Sequence, residues 1–332
     1  MRLCAGLPTL HRFALQEDSA LDSQVRPVVA IAQPHLAFLE GRLEADYQVR
    51  RLWEGQGPDD LSQIEAMVVA GEFPIDKVLV GRMPRLELIA CFTTGYDGVD
   101  VPWAEARGVL VTHSPSVNHE DVADHAMGLA IGAWRQLNSG DRQLRAGAWR
   151  ADSKTISRSL AGRRLGVVGL GDIGVAVARR CAPFGLEVAW WGPREKPQAP
   201  WPRLPDLIAL ARWSDILVVA CRASEDTRRL IERSVIEAVG PHGLIVNVSR
   251  GSVIDEDELI RALQDGRLGQ AALDVFETEP TPATRWKETP NTFLTPHHAG
   301  ATDAAIARMI ASTVESLRRH FAGEPCVTRA RP

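Results

Sequence analysis

Cysteine is scarce in this chain. Five occur among 332 residues, Cys4, Cys91, Cys181, Cys221 and Cys326, widely spaced and never as a C-x-x-C pair. Such spacing supports neither a disulfide framework nor a zinc or redox motif, and reduced thiols in a cytoplasmic protein are the expectation. Long apolar runs are missing as well, since none reaches the roughly 18 residues of a membrane helix. Residues 1 to 24 are broken by Pro8, His11 and Arg12 where a secretory signal would stay apolar, so they read as an N-terminal extension without a motif. Nor does one sign of charge dominate. Lys and Arg number 38 against 42 Asp and Glu, a formal charge of −4, which leaves no general basic field for nucleic acid or an anionic membrane surface. A small-molecule partner is expected instead.

What is present fits a globular protein of about two domains at roughly 150 residues each, with 45% hydrophobic and 24% charged positions and no internal repeat or low-complexity tract. Short β-rich runs alternate with helical patterns: VVAIA (28 to 32), EAMVVA (65 to 70), LELIACF (86 to 92) and VLVTHS (109 to 114), then RLGVVG, EVAWW, DILVVAC, GLIVNVS, QAALDVF and TFLTPH. That alternation predicts an α/β fold with two Rossmann-like or flavodoxin-like parallel sheets covered by helices. A long helix over 121 to 149, rich in small residues, is expected to bridge them. A last amphipathic helix, ATDAAIARMIASTVESLRRHF, stops near Gly323 and Pro325 and is expected to return to the first unit. At 255 to 265, Asp255 and Glu258 form a helix-start pattern and Gly266 a stop.

The run Gly169-Leu170-Gly171-Asp172-Ile173-Gly174 follows the apolar RLGVVG and opens a helical pattern. Glycines alone would mark only a turn. Between strand and helix they make a dinucleotide fingerprint: Gly169 for the tight turn, Gly171 for approach of a pyrophosphate, Gly174 for close helix packing. The helix N-terminus adds free N–H groups and the positive end of its dipole. About 20 residues on, where an NAD site carries an acid for the ribose hydroxyls, stand Gly192, Pro193 and Arg194. With no carboxylate there and a guanidinium adjacent, NADP(H) is expected in preference to NAD(H), which stays possible. The alternative is that Arg194 is a solvated loop charge.

Three later segments each put polar groups after an apolar run, where open parallel sheets bind ligands. They contain Asn247 to Gly251 with Arg250, Asp274 to Pro280 with Glu279, and Leu294 to Gly300 with His297 and His298. Singly, each has a structural reading as a surface charge, a loop or a structural histidine. Taken in order with TTGYDGVDV (93 to 101), RGVLVTHSP (107 to 115), EDVADHAMGL (120 to 129), VVGLGDIG, NVSRGSVIDEDEL, ALDVFETEP and LTPHHAG, the chain resembles the D-isomer-specific 2-hydroxyacid dehydrogenases from about residue 26 to 325. Within them it looks closest to the glyoxylate and hydroxypyruvate reductases, whose missing acid and nearby Arg match WWGPR.

The resemblance implies NADPH-dependent reduction of small 2-keto acids, with a substrate domain over 25 to 116 plus 299 to 332, an inserted NAD(P)-binding domain over 117 to 298, and a homodimer formed along 121 to 149. It puts Arg250, Glu279 and His297 in the catalytic positions. Their chemistry suits the roles: His297 titrates near working pH and can give a proton to the keto oxygen, Glu279 would orient it and favour the protonated form, and Arg250 offers a planar fork for a carboxylate. His298 is the rival acid, standing where the family usually has an apolar residue. Thr94 and Gly95 align with the family's substrate-binding amides, although TTGYDG also reads as a tight turn in which Tyr96 and Asp97 shape the loop. Asn118 and His119 replace an apolar residue and a Thr. By position Asp274 takes the nicotinamide amide, or serves as a turn acceptor, while Cys221, Thr227 and Val248 line the cofactor loops. Two other readings stay open: a nucleotide-sensing, corepressor-like binding protein, and a dehydrogenase of another small anion such as a sugar acid or phosphonate.

Overall fold

A computed structural model describes residues 26–55, 57–149 and 156–331; the N-terminal extension expected over 1 to 24 lies outside them. Two sheets carry the chain. The first holds β1 (Val28–Ile31), β2 (Gln48–Arg51), β3 (Ala66–Val69), β4 (Leu88–Cys91) and β5 (Leu110–Thr112), in the order β2-β1-β3-β4-β5. The second holds β6 (Arg164–Val168), β7 (Glu187–Trp191), β8 (Ile216–Val219), β9 (Leu244–Asn247), β10 (Gln270–Leu273) and β11 (Thr292–Leu294), in the order β11-β10-β9-β8-β6-β7. Every pairing among these strands is parallel, and the α/β expectation stands. Parallel strands are buried on both faces, and the side chains divide accordingly: in β8, Ile216 and Val218 enter one core while Leu217 and Val219 enter the other. One strand was not legible. β2 reads QVRR and lies at an edge, half-buried or exposed throughout, so no apolar run announces it.

The helix expected over 121 to 149 is two helices, α1 (His119–Trp134) and α2 (Leu137–Arg145), broken where Gln136 turns to a left-handed φ of 57°. The Ala133 carbonyl there accepts from the Gln136 N–H and from the Gln270 side-chain amide, both at 3.0 Å. α1 packs mainly on the second unit and touches the first at its start, where the Asp121 carboxylate accepts from Thr302 and Arg308 at 2.7 and 2.6 Å. It packs on β9, β10, β11 and the helix α3 (Asp172–Cys181), and its small residues Ala123, Ala126 and Ala130 are buried there, so they form no face for a second copy.

α4 (Glu256–Gln264) starts at Asp255, whose carboxylate accepts from the Glu258 N–H at 3.0 Å. The Glu258 side chain, however, pairs with Arg261 and Arg267. The last helix, α5 (Asp303–Phe321), does return to the first sheet: Ala305, Met309 and Leu317 are buried in one core with residues of β1, β3 and β4. Among the described residues no helix is long and apolar enough to cross a membrane.

Trp134 closes α1 with its ring buried, its Nε1 donating to the Ser159 carbonyl at 2.9 Å and the Arg158 guanidinium 3.7 Å from the ring centroid. Trp134→Ala is expected to lower unfolding stability by about 3 to 5 kcal/mol, read as a fall in the urea midpoint followed by circular dichroism. An unchanged midpoint would refute this account of the helix end.

Candidate active site

Strand order reverses between β1 and β3 in one sheet and between β6 and β8 in the other, and ligands of open parallel sheets bind outside the C-terminal strand ends at such reversals. Both reversals open on one cleft of about 2160 Å³ lined from the two sheets.

On its second-sheet side the glycine turn fits a dinucleotide. Gly169 has a φ of 89°, and a β-carbon on Gly174 would run into the Gly169 carbonyl, so the start of α3 closes on β6. Around Gly171, by contrast, no atom lies within 4 Å of such a carbon, and the backbone there is open to the cleft. Gly171, Asp172 and Ile173 line that cleft together with Cys221 and Val248, while Leu170 is buried. Burial pushes the Cys221 thiol up to about 11. Thr227 and Arg194 are not brought to the wall either. Thr227 ties its own loop together, donating to the Arg222 carbonyl at 2.9 Å, and Arg194 is exposed after β7. Sequence reasoning missed Lys196, which donates to the Leu170 carbonyl inside the turn, and Ser116, which donates to the Asp172 carboxylate.

Arg250, Glu279 and His297 sit on the loops after β9, β10 and β11. His297 has a left-handed φ of 48°, a conformation a β-carbon disfavours. Asp274 holds it there: its carbonyl accepts from the His297 N–H at 2.8 Å, and its carboxylate from the His298 and Ala299 N–H groups at 3.1 and 2.9 Å and from Thr295 Oγ1 at 2.6 Å. Burial works against the charge of Asp274, but His125, Thr295 and the two amides outweigh it and hold its pKa below the usual range. The imidazole Nδ1 donates to Glu279 Oε2 at 2.5 Å, while Glu279 Oε1 accepts from the Phe276 N–H at 2.9 Å. The hydrogen bond to Glu279 raises the pKa of His297 above its ordinary value, against the opposing effect of burial. Burial likewise opposes ionisation of Glu279, yet His297, the Phe276 amide and Arg250 keep its pKa low. His298 is exposed and stands edge-on to His125, ring centroids 5.1 Å apart, and does not line the cleft that His297 lines.

Arg250 crosses to the first sheet. Its Nε and Nη2 meet the Asp97 carboxylate at 3.0 to 3.2 Å, and its Nη1 donates to the Ser249 carbonyl at 2.9 Å. A β-carbon on Gly95 would collide with the guanidinium, so the glycine admits the arginine. Thr94 lines the cleft and donates to Asn118 Oδ1 at 3.0 Å. The structure therefore brings Thr94, Gly95, Arg250, Glu279 and His297 to one cleft. It also gives Asp97, read from sequence as a loop-shaping residue, an ionic partner that no local signal announced.

Residues 127–299 match the NAD binding domain of the D-isomer specific 2-hydroxyacid dehydrogenases. A glyoxylate/hydroxypyruvate reductase A of Arabidopsis thaliana is 36% identical over 300 residues, covering 89% of this chain and 96% of the relative. The chain belongs to the D-isomer specific 2-hydroxyacid dehydrogenase family. Two solved members align with a TM-score of 0.86. One, a 2-hydroxyacid dehydrogenase of Ketogulonicigenium vulgare, is 38% identical and covers 93% of this chain and 99% of its own. The other, an NADPH-dependent glyoxylate/hydroxypyruvate reductase of Sinorhizobium meliloti in complex with NADP and malonate, is 34% identical and covers 92% and 97%.

In this dehydrogenase, removing the carboxylate beside His297 removes the largest influence raising its pKa. Glu279→Gln is expected to shift the His297 titration, followed by NMR of the ring nitrogens, to lower pH, so that the imidazolium is lost earlier as pH rises. A titration at or above the wild-type midpoint would overturn the pairing.

Proposed function

We propose that this chain reduces a small 2-keto acid, such as glyoxylate or hydroxypyruvate, to the D-2-hydroxy acid, using NADPH. The observation that carries the reading is a carboxylate-paired imidazole and a guanidinium lining the same cleft as an open glycine turn. NADPH bound at that turn supplies the hydride for the keto carbon. The Arg250 side edge is engaged by Asp97, which leaves the end of the fork to hold the substrate carboxylate and polarise the keto oxygen. Thr94 and Gly95 bound the substrate from the first sheet. His297, with Nδ1 committed to Glu279, keeps Nε2 for the proton given to that oxygen.

Preference for NADPH rests on the absence of an acid at Gly192 and Pro193, with Arg194 next to them and Lys196 already at the glycine turn. The crossings near 117 and 299 are assigned as a hinge between a substrate domain, 25–116 with 299–332, and the nucleotide domain, 117–298; closure would exclude water from hydride transfer. A homodimer is assigned to α2 and its flank, where Leu137, Leu144, Trp149 and Ile156 are exposed. The described cysteines are free thiols, in keeping with a cytoplasmic setting.

The test is NADPH and NADH oxidation against 2-keto acids graded in size. Turnover with a higher kcat/KM for NADPH is expected, and ligand binding without turnover would favour a sensing role instead. His297→Asn should lower kcat by about 10²-fold or more with nucleotide affinity retained, whereas loss in His298→Asn alone would reverse the assignment. Asp97→Asn leaves the guanidinium loosely oriented and should raise KM for the keto acid more than it lowers kcat. An equal fall in both readouts of Asp97→Glu and Asp97→Asn would deny it a positioning role.

A further inference from the structure

The peptide between Thr94 and Gly95 is fixed by side chains on its carbonyl side. His113, the first residue after β5, lines the cleft and brings Nδ1 within 2.9 Å of the Thr94 carbonyl. A carbonyl oxygen only accepts, so Nδ1 carries the proton in every charge state of the ring. Burial lowers the pKa of His113 against the opposing effect of that hydrogen bond, and the charge of Arg222 lowers it further. Near neutral pH the imidazole is therefore uncharged, with its proton on Nδ1 and Nε2 bare. The ring is also held in place. The His113 N–H donates to the Thr328 carbonyl at 3.0 Å, and the Tyr96 ring stands edge-on to the imidazole, centroids 4.7 Å apart.

The next carbonyl is engaged in the same manner. Thr93 Oγ1 donates to the Gly95 carbonyl at 2.9 Å, sharing its proton with Glu72 Oε2 at 2.8 Å. In a trans peptide the carbonyl and the N–H point opposite ways, and the cis bond among the described residues is Glu279–Pro280. With both carbonyls turned to side chains, the N–H groups of Gly95 and Tyr96 face the other way, and neither has a hydrogen-bond partner among the described residues. Gly95 also lies against the Arg250 guanidinium. Two successive free N–H groups beside a cation make a concavity suited to an anion.

We infer that His113 is a positioning residue for substrate binding, which holds the Thr94 carbonyl and so aims the Gly95 N–H at the carboxylate of the 2-keto acid. The inference rests on the reductase reading above and adds a residue that reading does not use. A side chain without a donor at this place leaves the peptide free to rotate. Binding of the acid then weakens, while the nucleotide site and the His297 pair are untouched.

Two variants separate the donor from the rest of the ring. His113→Phe keeps the ring shape without a donor, whereas His113→Asn keeps a donor at the place of Nδ1 and has nothing at Nε2. His113→Phe should raise KM for glyoxylate or hydroxypyruvate about tenfold with kcat within about threefold of wild type, and His113→Asn should restore KM to within about threefold. NADPH affinity should not change in either. NMR of the wild-type ring nitrogens should show the Nδ1–H tautomer, a readout that does not depend on how the variants fold. A wild-type KM in His113→Phe, an equal loss in both variants, or an Nε2–H tautomer would overturn the assignment. Affinity of the NADPH-bound protein for oxamate, an unreactive analogue of a 2-keto acid, should follow the same order of variants. Absence of wild-type turnover with every acid would remove the reductase reading, and the oxamate series would then decide the role of His113 by itself.

Discussion

One histidine is held in a backbone conformation its own β-carbon resists, and the direction of its imidazole in the cleft depends on that restraint. Asp274 supplies it, by gathering the N–H groups of three successive residues onto its carbonyl and carboxylate. A left-handed residue other than glycine persists only where its surroundings over-determine it, and here three donors converge on an aspartate that is almost wholly buried. With the turn fixed, the imidazole direction is fixed. Glu279 then has only to meet Nδ1.

The contact between the two sheets works differently. Arg250 and Asp97 remain 26% and 42% exposed in their side chains, and an ion pair of that kind contributes on the order of 1 kcal/mol or less. It therefore orients the guanidinium without locking the cleft shut. Asn118 plays a comparable part at the crossing, with Thr94 on its amide oxygen and Gly300, on the returning strand of chain, against its amide nitrogen. Rigidity is concentrated at the His297 turn, and freedom is left to the sheets around it.

Much of this was legible in the sequence because each signal was local. The strands of the second sheet are unbroken apolar runs, and the glycine turn lies between a strand and a helix. Arg250, Glu279 and His297 each follow a strand end. What could not be read depends on contacts far along the chain. β2 has no apolar run because it is an edge. The end of α1 is met by the side chain of Gln270, which lies 137 positions away on β10. Asp97 acquires its role only when Arg250, 153 positions away, arrives across the cleft. Lys196 lies in the exposed stretch after β7, and its amine reaches the Leu170 carbonyl of the glycine turn.

The glycine turn is assembled by backbone meeting backbone, with Gly174 against the Gly169 carbonyl and Gly169 against Cys221. Retargeting the protein to another nucleotide by directed evolution therefore has little room at Gly169 and Gly174, where an added carbon collides at once. Sequence diversity is tolerated instead in the exposed stretch after β7, around Arg194 and Glu195. The fold thus separates an immutable cradle from an editable rim.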